Sequence, residues 1–189
     1  MLLGGITLGG KLGGFEFSNH SAKNLPQALA SAVTDLFYGE KTKLGASYVP
    51  LWYLGSQLVN GRNYLLICEQ TRSTKDFEKR IVAVIINIPA GNIDGSNASI
   101  VEVIDDADLI EGSNANENVK KYFDDAIGGL NGVEYTPVLY VGQQLVKGVN
   151  YFVIAQAKVI YPDSEPYAVM IKFNVFQGNS TLVEIEKLS

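Results

Sequence analysis

The sequence predicts an α+β fold built from two similar halves, each with one α-helix packed on an antiparallel sheet of four to five strands. Three observations carry this prediction. A motif recurs at an offset of 87 residues, from Tyr48 to Tyr135, an amphipathic stretch precedes each copy, and strand-like apolar segments follow it. A chain of 189 residues is long for one small domain. It is sufficient for two domains of about 90 residues each.

The repeat is the strongest signal in the chain. Residues 48–67 and 135–154 are identical at eleven positions. The shared residues include Pro50/Pro137, Gly55/Gly142, Gln57/Gln144, Gly61/Gly148 and Asn63/Asn150. A period this long exceeds that of solenoid repeats and indicates a duplicated domain. We therefore predict one domain at residues 1–108 and a second at residues 109–189, joined by a linker near residues 105–112.

Each half begins with a helical pattern. In the first half, Asn24 is the predicted N-cap, Pro26 lies in the first turn and Gly39 ends the helix. In the second half the predicted cap is Asn114 or Asn116, and two glycines follow the helix. The predicted buried faces are Leu25, Leu29, Ala32, Val33, Leu36 and Phe37 in the first helix and Val119, Tyr122, Phe123, Ala126 and Ile127 in the second.

Strand patterns follow each helix. The predicted strands are residues 48–59, 63–71, 80–88 and 99–104 in the first half, with counterparts that include residues 167–176 and 181–186 in the second. Asn60 and Gly61 are a strong signal for a hairpin turn, and Lys147 and Gly148 take the same place in the second half. In residues 167–176 apolar positions alternate with polar ones, which predicts a sheet with one face buried on the helix.

Composition argues against several classes of partner. The net charge is -5, and the strongest basic cluster, Lys120 and Lys121, is followed at once by Asp124 and Asp125. No nucleic-acid partner is therefore expected. No apolar stretch reaches the ~18 residues of a membrane span, and no secretory signal begins the chain, so no membrane partner is expected. One cysteine permits no internal disulfide, which favours an intracellular location.

The sequence contains no pattern typical of catalysis or metal binding. With a single histidine, His20, and a single cysteine, Cys68, the usual His/Cys metal sites are excluded, and neither a metal nor a cofactor is expected. His20 is predicted in a solvated polar loop and Cys68 at a buried strand position. The acidic residues 105–111 lack the spacing of a calcium loop and are interpreted as a solvated linker. We expect no enzymatic activity.

The two hairpins resemble those of the cystatin family. Residues 57–64 and 144–151 both match the Q-x-V-x-G hairpin of cystatins and the N-Y pair that follows it. Gly13 and Gly14 resemble the glycine-bearing trunk that precedes the cystatin helix. The order of the helix and the four later strands is also that of cystatins, so the resemblance covers nearly the whole chain, twice. It implies two tandem cystatin-like domains.

That resemblance also implies a function. Cystatins are reversible, non-covalent inhibitors of papain-like cysteine proteases, and their trunk and two hairpin turns form a wedge that plugs the protease cleft. The implied protease-binding residues are Gly13, Gly14, Gln57, Leu58, Val59, Asn60, Gly61, Pro89, Ala90, Gly91, Gln144, Leu145, Val146, Lys147 and Gly148. Glycines at the turns would let the protease approach the backbone closely, and a preformed hairpin would avoid an ordering cost on binding.

The chain departs from the cystatin pattern in two places. Cystatins often carry Pro-Trp in the second hairpin, whereas residues 89–91 and 177–179 contain no tryptophan, so neither half is expected to be among the tightest inhibitors. The segment before the second helix is the linker, which leaves that half without a free trunk. The first half is therefore expected to carry most of the inhibition. We also expect Gly61→Arg to abolish that inhibition while the fold survives.

Two other interpretations stay open. A tandem pair of such domains also resembles the latexin family, which implies inhibition of a metallocarboxypeptidase instead of a cysteine protease. The other interpretation is a cystatin-fold interaction scaffold, including a strand-exchanged dimer, because hairpin-bearing sheets can exchange strands. In both cases residues 57–61 are only a turn whose sequence suits a hairpin.

Overall fold

The computed structural model describes residues 7–8, 13–39, 45–74, 76–105 and 119–189. Within these ranges the chain is α+β, with two helices and two five-stranded sheets. The elements are β1 (Thr7–Leu8), β2 (Glu16–Ser21), α1 (Gln27–Tyr38), β3 (Ala46–Val59), β4 (Gly61–Arg72), β5 (Lys79–Ile88), β6 (Ser99–Ile104), α2 (Val119–Ile127), β7 (Val133–Val146), β8 (Gly148–Val159), β9 (Tyr167–Phe176) and β10 (Asn179–Leu188). They form two compact units: the first comprises the described residues of Gly14–Val103, and the second comprises those of Ile104–Leu188 together with β1 and Gly13.

The first unit contains a sheet in the strand order β2-β3-β4-β5-β6, and β2 to β5 pair antiparallel. The four strands predicted for this half are confirmed, each within two residues at either end. Strand β2 was not among them. Its sequence, EFSNHS, is largely polar and shows no alternation of apolar and polar residues. The strand lies at the edge of the sheet, where neither of its faces is completely buried.

The buried face of α1 is confirmed. Leu29, Ala32, Val33 and Phe37 are buried, as their helical spacing predicts, and they belong to one apolar cluster with side chains of β3, β4 and β5. The ring of Phe37 lies 5.3 Å from that of Tyr48, between ring centroids. Burying a side chain of this size stabilises the fold by about 1.5–3 kcal/mol.

The predicted start of α1 was wrong. The helix begins at Gln27 with Pro26 as its cap residue, and no side chain caps it. Asn24 lies earlier, where its backbone N–H donates to the carbonyl oxygen of Ser21 in a turn. The reason is local, because a residue before proline is pushed out of the helical region and Leu25 precedes Pro26. The carbonyl oxygen of Pro26 accepts the first helical hydrogen bond, from the N–H of Ala30 at 2.9 Å.

Strands β3 and β7 are irregular at matching positions. In β3 the register shifts between Pro50 and Trp52 and again between Tyr53 and Gly55. In β7 it shifts between Pro137 and Leu139 and again between Tyr140 and Gly142, 87 residues later. Proline cannot donate to a ladder and is tolerated in a sheet at such irregularities. The sequence offset thus also relates the backbone irregularities of the two strands.

The second unit contains a sheet in the order β1-β7-β8-β9-β10, with α2 against it. The predicted helical face is confirmed: Val119 and Phe123 are buried, and Tyr122, Ala126 and Ile127 pack against the same cluster. The predicted caps Asn114 and Asn116 lie outside the described residues. The expected polar face of β9 was only partly correct. Lys172 and Asn174 are half-buried there, but Ala168 and Met170 on the same face are fully buried.

The edge of the second sheet is formed by the start of the chain. Strand β1 pairs antiparallel with β7, with Thr7 opposite Gln143 and Leu8 opposite Gly142. Residues 7–8 therefore belong to the second unit, although the sequence analysis grouped them with residues 1–108. No local pattern in the sequence signals this pairing, because the paired residues are more than 130 positions apart in the chain.

The single histidine and the single cysteine both lie in strands of the first unit. His20 lies in β2, not in the solvated loop that the sequence predicted, and its ring packs edge-on to Tyr53 with 5.1 Å between centroids. Its Nδ1 lies 3.0 Å from the carbonyl oxygen of Ser21. Cys68 is fully buried in β4, as predicted, and burial raises the pKa of its thiol.

Candidate binding site at the hairpin turns

Three segments of the first unit meet at one end of its sheet. They are the residues before β2, with Gly14, the turn between β3 and β4, with Gly61, and the turn after β5, with Pro89. A β-carbon on Gly14 would lie 3.2 Å from Nε2 of Gln57, and one on Gly61 would lie 2.8 Å from Cα of Pro89. The sheet thus brings together the three segments that the sequence analysis identified as candidates in this unit.

Gly61 fits its position because it packs closely against the second turn of the same unit. Its φ is +100°, in the left-handed region, and a β-carbon here would overlap the carbonyl oxygen of Ile88. The missing side chain lets the first turn lie directly against the second. The survival of the fold in Gly61→Arg stays a prediction, and the structure adds that a side chain at this position requires the second turn to shift. Gly148 is built the same way, with φ +85° and its β-carbon position against the carbonyl oxygen of Val175.

A row of three side-chain amides ties the hairpin strands together below the turn. Nδ2 of Asn63 donates to Oε1 of Gln57 at 3.3 Å, and Nδ2 of Asn87 donates to Oδ1 of Asn63 at 2.8 Å. These residues lie on β3, β4 and β5, so the row crosses three strands. We call it the first amide ladder. Gln57 and Asn63 are thus bonded within the unit and help to fix the positions of both turns.

The second unit has the same arrangement, which we call the second amide ladder. Nδ2 of Asn150 donates to Oε1 of Gln144 at 3.2 Å, and Nδ2 of Asn174 donates to Oδ1 of Asn150 at 2.9 Å. Asn174 also donates to the carbonyl oxygen of Lys147, in the turn itself, at 3.3 Å. The three residues correspond to those of the first ladder at the offset of 87 residues. Amide side chains at these positions therefore hold both hairpins.

The tip of the first hairpin presents apolar side chains to solvent. Leu58 is 76% exposed, and its neighbour Val59 is exposed as well. Single exposed leucines are common on protein surfaces, but an adjacent exposed pair on a rigid, strongly held turn is less so. The amide ladder beneath them fixes the backbone, so burial of these side chains by another molecule would not require the turn to become ordered first.

The second turn of this unit is organised by Asn92. Its Nδ2 donates to the carbonyl oxygens of Pro89 and Ala90, both at 3.3 Å, and its Oδ1 accepts from Oγ of Ser96 at 2.8 Å. The turn is therefore held without a tryptophan. Ile93 follows directly and is 91% exposed.

A groove of about 490 Å³ runs between the two turns of the first unit. Its lining includes Leu58, Val59, Tyr64, Pro89, Ala90 and Ile93. The predicted residues of the two turns therefore share one concave surface, and Ile93 extends it with a further apolar side chain.

The predicted residues of the second unit lie together in the same way. Leu145 is 86% exposed at the tip between β7 and β8, and Val146 is exposed beside it. Nζ of Lys147 lies 5.3 Å from the ring centroid of Phe176, which is 40% exposed at the end of β9. A β-carbon on Gly148 would lie 3.1 Å from Cβ of Phe176. The tip is therefore apolar with one cation beside an aromatic ring.

Two exposed apolar residues of these ends were missed by sequence reasoning. Ile93 lies in the turn after β5, and Phe176 is the last residue of β9, at the second turn of its unit. The cystatin pattern has a Pro-Trp pair at these turns, and that pair is absent from this chain. The signal that could have found them is a large apolar residue next to a turn, at a position where no core face continues.

Other kinds of site receive no support from the described residues. In those ranges no group of three or more His, Cys, Asp or Glu side chains could hold a metal ion. Among the same residues, no helix is long and apolar enough to cross a membrane. No protein-family model and no curated protein matches the chain.

Proposed function

We propose that this protein is a reversible, non-covalent inhibitor of papain-like cysteine proteases, built from two tandem cystatin-like domains. In the first unit the wedge consists of Gly14, which Gly13 precedes in the chain, the turn at residues 57–61 and the turn at residues 89–91. The proposal rests on the cystatin-like motifs in the sequence and on the meeting of these three segments at one end of the sheet.

The observation that carries the proposal is the exposed leucine at each hairpin tip. Leu58 and Leu145 are 76% and 86% exposed, on turns held by an amide ladder in each unit. Burying one such side chain in a protease cleft gains about 1.5–3 kcal/mol. The turns are already ordered, so little of this gain is lost on binding.

The mode of inhibition follows from what the tip contains. The contact groups of the tips are apolar side chains, backbone and, in the second unit, Lys147, and the one cysteine of the chain is buried in β4 with a raised pKa. The proposed complex therefore needs no covalent step. Inhibition should be competitive with substrate and fully reversible on dilution.

The experiment is a titration of papain with the whole chain, followed by Leu58→Asp and Leu145→Asp, singly and together. Val101→Asp and Ile160→Asp are the matched controls, because both residues are exposed and apolar but lie outside the hairpin tips. The double tip variant should lose inhibition while the control variants keep it. If papain is not inhibited but a metallocarboxypeptidase is, the latexin-like alternative replaces this proposal. If neither enzyme is inhibited, the interaction scaffold does.

A further inference from the structure

An apolar patch lies at the end of the second sheet that is opposite the hairpin tip. Strand β7 begins at Val133 and β8 ends at Val159, so the loop that follows β8 lies at that end. Ile160 and Tyr161 in this loop are 71% and 75% exposed. A groove of about 320 Å³ is lined there by Glu134, Lys158, Val159, Ile160, Tyr161 and Pro162, which we call the distal patch.

Hydrogen bonds hold the loop of the distal patch. The N–H of Ile160 donates to the carbonyl oxygen of Gly132 at 2.9 Å, and the N–H of Tyr161 donates to that of Val159 at 2.8 Å. Oγ of Ser164 also donates to the Val159 carbonyl oxygen, at 2.5 Å. The two exposed apolar side chains therefore stand on an ordered backbone, and their burial by a partner carries little ordering cost.

The first unit has the same loop framework without the apolar patch. Its Ser73 N–H donates to the carbonyl oxygen of Gly45 at 2.8 Å, which is the bond between Ile160 and Gly132 displaced by 87 residues. At the six positions of the distal patch the first unit has Ser47, Thr71, Arg72, Ser73, Thr74 and Lys75, all of them polar. Phe77 is exposed in that loop, but it corresponds to position 164, outside the patch. The fold therefore does not require exposed apolar residues here, and their presence in the second unit indicates a contact surface.

The distal patch also carries one charge of each sign. Glu134 and Lys158 lie opposite each other on β7 and β8, and both are exposed. Among the described residues neither side chain forms an ion pair. Asp163 and Glu165 follow in the same loop but do not line the groove. An apolar centre flanked by both signs of charge is complementary to a copy of itself related by a two-fold axis.

We propose that the distal patch is a self-association surface, through which two folded copies of this chain form a two-fold symmetric dimer. Ile160 and Tyr161 of the two copies pack together, and Glu134 of each copy pairs with Lys158 of the other. Six residues are fewer than the roughly 20–30 per partner of a standard interface, so the dimer is weak. The contact leaves the hairpin tip at the other end of the sheet uncovered, and it does not rest on the proposed function.

Sedimentation equilibrium of the full chain at physiological salt tests this contact. The weight-average mass of wild type should rise from the monomer value toward twice that value as the concentration increases from about 1 to about 500 µM. Ile160→Asp and Tyr161→Asp should each weaken association about tenfold or more. Ser73→Asp and Thr74→Asp, at the same loop positions of the first unit, are the matched controls and should associate as wild type does.

Charge reversal tests the two-fold arrangement. Glu134→Lys and Lys158→Glu should each abolish self-association, because each variant places like charges at both contacts between the copies. An equimolar mixture of these two variants should associate again, since every contact then joins opposite charges. The double variant Glu134→Lys/Lys158→Glu should recover the association of wild type for the same reason. All of these side chains are exposed, so the unfolding midpoint of every variant should match that of wild type.

Three results would overturn the inference. The first is a wild-type chain that stays monomeric over the whole concentration range. The second is association that Ile160→Asp and Tyr161→Asp leave unchanged, which would assign it to another surface or to strand exchange. The third is a mixture of the two charge-reversal variants that stays monomeric where wild type dimerises, because the copies then do not meet in the proposed two-fold arrangement.

Discussion

Asn87 donates its side-chain N–H to the side-chain oxygen of Asn63 across β4 and β5 at 2.8 Å, and Asn174 donates to Asn150 in the same way at 2.9 Å. Each pair continues to a glutamine on the neighbouring strand, which completes the two amide ladders. The asparagine and the glutamine of the hairpin motif are therefore bonded inside each unit. They hold the turns, and the proposed contact surface consists of the exposed leucines.

Removing the middle amide of a ladder should destabilise its unit. In Asn63→Ala, Gln57 and Asn87 each lose one bond, which should lower the free energy of unfolding by about 1–3 kcal/mol. Asn150→Ala should cost at least as much, because Asn150 is the more buried of the two residues. Urea denaturation measures the change, with Asn60→Ala in the exposed turn as the control at about 0.5 kcal/mol or less. Equal effects in all three variants would show that the ladder contributes nothing.

The contact of Gly61 with the second turn predicts a difference between two glycines. Gly61 and Gly91 both have a positive φ, +100° and +84°, so alanine is strained by about 1–2 kcal/mol at either. Only at Gly61 does the β-carbon also overlap backbone, namely the Ile88 carbonyl, while the space around Gly91 is open. Gly61→Ala should therefore lower the melting temperature clearly more than Gly91→Ala. Equal shifts in a calorimetric scan would contradict the close packing of the two turns.

The buried thiol predicts slow labelling. Cys68 is fully buried, and burial raises the pKa of its thiol, so little thiolate forms near neutral pH. In the native protein an aromatic disulfide reagent should react with Cys68 far more slowly than in the same protein unfolded in guanidinium. The unfolded sample serves as the control for complete reaction. Rapid labelling of the native chain would show that β4 opens readily or that the thiol is accessible.

A buried tyrosine predicts a loss of stability at alkaline pH. Burial, with a smaller contribution from Tyr151, raises the pKa of Tyr140 to about 12 from the ordinary tyrosine value of 10.0. The unfolded chain therefore releases this proton first, and the contribution of Tyr140 is complete below about pH 10 and lost as pH rises toward 12. Urea midpoints measured from pH 8 to the alkaline limit should fall less steeply in Tyr140→Phe than in wild type. The exposed Tyr161→Phe should leave the slope unchanged, and an equal flattening there would contradict the assignment to Tyr140.

The elements with strong periodicity could be predicted from the sequence. The face of α1 and the strands around Gly61 and Gly148 are set by alternation and turn residues, which act locally. The exposed tips could also be predicted, because Leu58 and Leu145 precede a turn where no core face continues.

What the sequence could not predict depends on register between distant strands. The pairing of Leu8 with Gly142 joins residues that are far apart in the chain, and neither partner has a local signal for it. The amide ladders likewise exist only because three strands align at Asn63 and Asn150. The start of α1 was misplaced because the proline effect at Pro26 outweighed the capping preference of Asn24.

The most direct test of the central claim is the inhibition constant against papain of wild type and of the Leu58→Asp/Leu145→Asp double variant. Losing one buried anchor costs about 2 kcal/mol or more, roughly thirtyfold in affinity, so the double variant should show no inhibition at concentrations where wild type is saturating. Its unfolding midpoint should match that of wild type, because both leucines lie in solvent. Equal inhibition by the two proteins, or none by wild type, would contradict the account.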